Sequence, residues 1–284
     1  MASMESAIIR RFATKIPMSS DTINIPKIVD TSHASTLYGG LAGVWTEEAG
    51  SLTSDEPAFG QIKLICHKLL LYTITSNELL ADFGQALETV ILKVFGDSLG
   101  WTEDEAFING DGVGKPLGIL KSGALLTINR SAATTVAQSD VLNMWSRLLP
   151  QSHERCIWLV NPTVLPQLGA IAATALSWLS QDQGLAKPMP TSILGRPMYI
   201  SEKCPALGTA GDIILLDPSF YLIGDRKILE MRASEQVRFA TDETAWRMIE
   251  RVAGHPWVDS KFTPLHGSTL SPFVTLYAST TGGD

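Results

Sequence analysis

Phe107-Ile108-Asn109-Gly110-Asp111-Gly112-Val113-Gly114-Lys115-Pro116-Leu117-Gly118-Ile119-Leu120 is the stretch on which the reading of this chain turns. It imitates a phosphate loop. A Walker loop needs GxxxxGK followed by Ser or Thr, whose hydroxyl holds magnesium, and then a helix whose amides point at phosphate. Here Asn109 stands at the first glycine position and Pro116 follows Lys115. Asn109 and Asp111 do not continue into calcium-loop spacing either. The glycines read as a sharp exit from a helix into a turn.

The residues before the turn predict that helix. Thr75 and Glu78 fit a capping box, with Ser76 as a competing cap. Leu80, Phe83, Leu87, Val90 or Ile91, and Val94 recur every three to four residues, so one face is apolar. Gly96 and Gly100 are the expected points of kinking. From Ser76 to Asp111 there are eight acids and one base, Lys93. From Val44 to Gly60 there are four acids (Glu47, Glu48, Asp55, Glu56) and no base. The net charge is −7, so outside these two segments the chain is net +4. No basic stripe of the kind nucleic-acid binders carry is visible. Arg10, Arg11 and Lys15 are the nearest to one and read as a solvated arm.

Upstream, residues 1 to about 40 read as an extended arm, because Pro17 and Pro26 disfavour helix and Ile23, Ile25 and Ile28 favour strand. Residues 44–75 read as a long hairpin with an acidic tip and little core of its own, so it needs a neighbour. Downstream, Ser139 is the expected cap of a helix through Val141–Leu149. Cys156-Ile157-Trp158-Leu159-Val160 reads as a buried strand, and Thr163–Ala175 as a helix. Met198–Ile200, Asp212–Leu216, Phe220–Ile223, Lys227–Arg232, Val237–Phe239, Ala245–Val252 and Phe273–Tyr277 are strand candidates.

Catalytic chemistry is hard to assemble from these residues. The five histidines show no metal spacing, and no G-x-S-x-G elbow appears. Cys66, Cys156 and Cys204 lie far apart and odd in number, which argues against zinc and against a disulfide framework. The expected catalytic, cofactor-binding and metal-binding residues are none, and the expected cofactor is none. No signal peptide is read at the N-terminus, and Asn161, Pro162, Pro166 and Gln167 interrupt the uncharged run Cys156–Gln181, so no membrane span is expected. Hydrophobic residues make up 45% and charged residues 18%, against about 25% charged in soluble globular proteins. Such a surface points to coverage by other subunits.

Several motifs together resemble the major capsid proteins of tailed phages, the Hong Kong phage 97 fold family. Asn77-Glu78-Leu79-Leu80-Ala81-Asp82 through Asn109-Gly110-Asp111-Gly112 resembles the family's spine helix and turn. Pro17–Asp21 resembles the arm-to-body segment. Trp45-Thr46-Glu47-Glu48 and Ser54-Asp55 resemble the extended loop. Trp158–Pro162, Leu194–Met198 and Phe220–Asp225 resemble successive axial-domain pieces. Their collinearity carries the match.

The resemblance implies an α+β capsid fold with an N-terminal arm (1–43), an extended β-hairpin loop (44–70), a peripheral domain holding the spine helix (71–112 and 225–262), an α/β axial domain (113–224) and a C-terminal strand and tail (263–284). It implies a non-enzymatic subunit that self-assembles in the host cytoplasm into pentamers and hexamers of an icosahedral virion shell around double-stranded DNA. Scaffolding, protease, portal and decoration proteins are the further partners it implies, and no membrane. The founding member's isopeptide crosslink needs a lysine, an asparagine and a glutamate. The aligned positions here hold Ser51, Asp242 and Ile249, so no crosslinking is expected. A basic patch at Arg226, Lys227 and Arg232 is the expected seat of a neighbour's acidic loop, with Trp45 and Phe59 as its apolar anchors. The acidic helix is expected to repel packaged DNA, through Glu103, Asp104 and Glu105 among others. Two other readings are an encapsulin-type protein compartment, which shares the fold, and a soluble nucleotide-binding α/β enzyme using the Asn109–Lys115 turn.

Overall fold

The structure, a computed structural model, describes residues 7–34, 36–41, 43, 45, 56–174 and 192–283. Its elements in chain order are α1 (Ile9–Phe12), β1 (Thr14–Pro17), β2 (Thr22–Ile28), β3 (Phe59–Ile65), β4 (His67–Ser76), α2 (Asn77–Asn109), β5 (Leu126–Ile128), α3 (Gln138–Ser146) and β6 (Ile157–Val160). Then follow α4 (Leu165–Thr174), β7 (Ser192–Ile193), β8 (Arg196–Ile200), β9 (Ile213–Leu216), β10 (Tyr221–Arg238), β11 (Glu243–Pro256) and β12 (Phe273–Leu276). They fall into two compact units.

The first unit comprises Met1–Ile23, Leu64–Gly118 and Leu222–His255. Its sheet has the order β1-β10-β11-β4. One face of that sheet carries α2. Ile91, Phe95 and Leu99 of the helix pack with Trp246 and Met248 of β11, flanked by Leu69, Leu71, Leu80 and Leu87. Of the stripe expected from sequence, Ile91 is buried and Leu80 and Leu87 are partly buried, whereas Phe83, Val90 and Val94 are exposed, because the buried stripe continues through Phe95 and Leu99 instead. Other details differ too. The break lies at Gly84, with φ 50° and ψ −132°, while Gly96 and Gly100 stay helical. The cap is Ser76, without a side-chain bond. The Thr75 hydroxyl is used elsewhere: it accepts from the Trp246 indole N–H at 2.8 Å and lies 3.4 Å from the Thr244 carbonyl. The fragments expected between Phe220 and Phe239 form one 18-residue strand.

The second unit comprises Asn24–Lys63, Ile119–Tyr221 and Pro256–Asp284. Its sheet has the order β5-β12-β9-β6-β8-β7. Every residue of β6, β9 and β12 is buried, as expected of central strands covered on both faces. Trp158 is fully buried and donates its indole N–H to the Ile193 carbonyl at 3.1 Å. Val141 and Met144 of α3 and Leu168 of α4 join this core. Helix α3 begins earlier than expected. Its N-terminus is held not by Ser139 but by the buried Asp140 carboxylate, which accepts from the Ala137 amide at 2.9 Å and the Ser131 amide at 2.9 Å.

The N-terminal arm does lie on something. β1 adds in parallel to β10, and β2 pairs with β3 in a two-stranded ribbon. The return strand of the loop therefore finds its partner in the arm. The loop tip, with Glu47, Glu48, Ser51, Ser54 and Asp55, lies outside the described residues.

Candidate functional site

The glycine turn after α2 is a closed reversal. The Gly118 amide donates to the Gly110 carbonyl at 2.9 Å, and the Leu117 amide to Gly254 of β11 at 3.1 Å. A Cβ on Gly110 would lie 2.1 Å from the Pro116 carbonyl oxygen, and one on Gly118 would lie 2.5 Å from the Gly110 nitrogen. Gly112 and Gly114 have φ near +80° and +68°, where side chains are disfavoured. The glycines let two backbone segments touch and turn the chain back. Lys115 and Val113 stand exposed at the tip.

The acid row of α2 divides into two groups. Glu78, Asp82, Glu88 and Asp97 are exposed, whereas Glu103 and Asp104 are buried. The Asp104 carboxylate accepts the Ile8 and Ile9 amides at 2.9 and 2.8 Å. The Arg10 guanidinium donates to both oxygens of Glu103 at 3.0 and 3.1 Å and to Asp225 at 2.7 Å, and it lies 3.5 Å from Glu250. Burial first, and then the neighbouring Glu250 carboxylate, pushes the Glu103 carboxyl up to about 8, against the opposing pull of Arg10. Glu103 and Asp104 thus hold the arm and are not free to line an acidic wall. Arg10 is a clasp residue rather than part of a solvated basic arm. A signal for this was present in the sequence. Leu87, Ile91, Phe95 and Leu99 advance by four, and the next position on that buried stripe is Glu103.

Among the described residues, the core under α2 uses one face of the first unit's sheet. Directly opposed residues on antiparallel strands point to the same side. The register pairs Arg247 with Tyr72, Ile249 with Leu70 and Arg251 with Lys68. Lys68, Leu70, Tyr72 and Arg247 are exposed. Two exposed apolar side chains therefore stand beside cations on this face. Of the cations expected to receive an acidic loop, Arg226 pairs with Asp21 and Arg232 with Glu230 in the same chain. Arg251 also reaches Asp21, at 2.9 Å. Lys68 and Arg247 have no ion pair among the described residues. Trp45 and Phe59 of the loop are fully or largely exposed.

In the second unit, Ile28, Leu37, Tyr38, Phe220, Trp257 and Phe262 help line an open cavity of about 650 Å³. Its polar lining includes the Lys27–Asp259 ion pair and Asp30, which meets His33 Nε2 at 3.0 Å through one oxygen and leaves the other buried with no partner among the described residues. The remaining sites read from sequence are accounted for locally. Cys66, Cys156 and Cys204 are free thiols. Burial pushes the Cys156 thiol up to about 11, which makes it a poor nucleophile at neutral pH. Asp242 sits in a left-handed turn and accepts from the Asn77 side chain at 2.7 Å. Ile249 lies on the open sheet face. No described helix is long and apolar enough to cross a membrane.

Known proteins match this arrangement. The major capsid protein of Klebsiella oxytoca phage phiKO2 is 24% identical over 155 residues, which are 54% of this chain. The chain spans only 30% of that curated relative's length. Among solved structures, the capsid of a native GTA particle, computed with C5 symmetry, superposes with a TM-score of 0.75 at 21% identity, covering 96% of this chain and 90% of the other. A chain from Mycobacterium phage Bobi gives 0.69 at 16% identity, covering 98% and 92%. At such identities the likeness speaks for the fold, and the α+β capsid fold is the one the motifs implied. The phage capsid family matches residues 2–267, nearly the whole length, and the chain belongs to that family.

Proposed function

We propose that this chain is the major capsid protein of a tailed phage, an architectural subunit whose copies close into an icosahedral shell of pentamers and hexamers around double-stranded DNA. The observation that carries the reading is surface left over after folding. Both units have complete cores, yet Leu70, Tyr72, Phe83, Trp45 and Phe59 remain exposed. A monomer gains nothing from such groups, whereas a subunit buries them against its neighbours at roughly 25 cal/mol per Å². The first unit corresponds to the peripheral domain and Ile119–Tyr221 to the axial domain. Scaffolding, protease, portal and decoration proteins remain the partners this role calls for.

The open sheet face is the seat we assign to a neighbour's extended loop. Its cations without an ion pair among the described residues are Lys68 and Arg247, in place of Arg226 and Arg232, which are paired within the chain; the Lys227 side chain lies outside the described residues. An exposed ion pair contributes only about 0–1 kcal/mol, so repetition around the shell and burial of the apolar anchors supply the hold. The inner acidic wall is assigned to Glu78, Asp82, Glu88 and Asp97, where like charge keeps DNA from adhering.

Negative-stain microscopy and sedimentation of the purified protein test the reading. Closed shells are expected. A protein that stays monomeric under every solution condition and in lysate overturns it. Shells filled with DNA separate a phage from an encapsulin, whose shells would hold one enzyme. ATP turnover by the lone subunit would favour the nucleotide enzyme.

A further inference from the structure

The open cavity of the second unit, at about 650 Å³, has the size of a binding site. Leu37, Tyr38, Phe220, Trp257, Phe262 and Leu265 give it aromatic and aliphatic walls. Its charged groups are paired, apart from one oxygen. Lys27 pairs with Asp259. His33 Nε2 meets Asp30 Oδ2 at 3.0 Å, and the His33 ring stands edge-on to Phe262, with 4.5 Å between ring centres. Asp30 Oδ1 has no partner among the described residues. The Asp30 side chain is 26% exposed, and the terminal torsion of an aspartate is broad. A small turn of the carboxyl therefore presents the second oxygen to the cavity.

One wall of the cavity is strained. Tyr38 and Gly39 are both left-handed, with φ 50° and 72°, and the Gly40 amide closes their turn on the Leu37 carbonyl at 3.2 Å. A bulky side chain in that region costs energy and persists only where its surroundings hold it. They do so here. A Cβ on Gly39 would lie 2.1 Å from the Val29 carbonyl oxygen, and one on Gly40 would lie 2.4 Å from that of Glu56. The strain sets the Tyr38 ring on the cavity wall, where it stays exposed and not in a core.

An apolar hollow with an acceptor to spare matches a large apolar side chain that carries a donor. Among the described residues, three exposed large apolar side chains carry one: Tyr38, Tyr72 and Trp45. Tyr38 belongs to the wall itself. Tyr72 stands in the middle of β4, where the flat sheet around it keeps it out of a hollow. Trp45 remains, and at 103% it is the most exposed of the set. Tryptophan is enriched among the residues that dominate interfaces, and its indole N–H finds a partner when buried. We propose that Trp45 of one copy fills this cavity on a second copy and donates its indole N–H to Asp30. The contact joins two different surfaces, a knob and a hole, and so links copies head to tail as rings require. It rests on the shell reading, because the occupant is a second copy. It takes Trp45 away from the open sheet face, which keeps the acids of the loop.

Photocrosslinking in assembled particles tests the contact. A benzophenone amino acid at position 45 keeps a large aromatic group there. After irradiation, denaturing gels should show linked copies, with adducts mapping to residues 37–38 and 257–265. Adducts confined to one chain, or placed on Leu70 and Tyr72 of the sheet face, overturn the proposal and leave the shell reading standing. If the unaltered protein forms no particles, the shell reading fails and this contact with it. Trp45→Ala should raise the concentration needed for assembly at least about tenfold. Trp45→Phe and Asp30→Ala should each raise it roughly two- to tenfold, and together no further than either alone, since both remove the same hydrogen bond. Effects that multiply in the double variant overturn the proposal. Should Asp30→Ala fail to fold, the crosslink decides alone.

Discussion

Each unit of this molecule sets an arginine against acid, and the two clusters differ in burial and in charge count. In the second unit Arg130 and Asp212 are both fully buried and meet at 2.5 Å. Arg130 spends its other donors on the carbonyls of Tyr277, Thr135 and Thr209. Asp212 also accepts the Gly208 and Ile213 amides. One cation meets one anion, and both are surrounded by partners. In the first unit Arg10 meets three carboxylates and stands partly in solvent. A matched buried pair ties the C-terminal segment to the sheet. The other, partly in solvent, ties the arm to α2 and to β10. The lesson is that charge count and burial, not residue type, decide how firmly an ion pair holds.

That contrast is open to attack by substitution. The largest effect is expected from Arg130→Ala, which leaves the Asp212 charge buried and unpaired. A loss of about 3–5 kcal/mol is expected in the second unit, read as lost exchange protection at Ile157–Val160. If β6 stays protected, the pair is not a fastener. Next comes Met248→Ala, which opens the first unit's core under α2 at a cost of about 2–5 kcal/mol. It should loosen α2 and leave β6 alone, whereas loosening of both would show that the two units unfold together. Arg10→Ala should cost less, about 1 kcal/mol after discounting for solvent, and its loss should be local to α1.

The smallest effect on stability is expected at the open sheet face. Tyr72→Asp should change the stability of the subunit by no more than about 0.5 kcal/mol and still prevent shells from closing in sedimentation. Reversing Arg247 to Glu should weaken shells and reduce their sensitivity to salt. If both variants assemble normally, the face is not a seat for neighbours.

Local pattern revealed much of this. The apolar stripe of α2, the continuous apolar runs of β6, β9 and β12, and the extended arm all follow from side-chain period or from proline, which act within a few residues. The buried acids and the clasp were harder to see. Arg10 and Glu103 are 93 residues apart, and Arg10 and Asp225 are 215 apart. Spacing along the chain carries no information about such meetings. The glycines of α2 show the same limit. Gly84, Gly96 and Gly100 look alike in sequence, yet only Gly84 breaks the helix. A Cβ on Gly100 would lie 3.6 Å from Ala7, while Gly84 and Gly96 have open space. Neither Gly96 nor Gly100 is required by space; at Gly84 it is the positive φ that favours glycine.

The sequence by itself determined the long helix α2, the buried strands, the tight turn after α2 and a family, because propensity, period and collinear motifs are properties of neighbouring residues. The tertiary structure alone decided which acids are buried, which cations are already paired and which sheet face is left open. Those outcomes depend on desolvation and on partners brought together from distant positions, and only the closed fold establishes either.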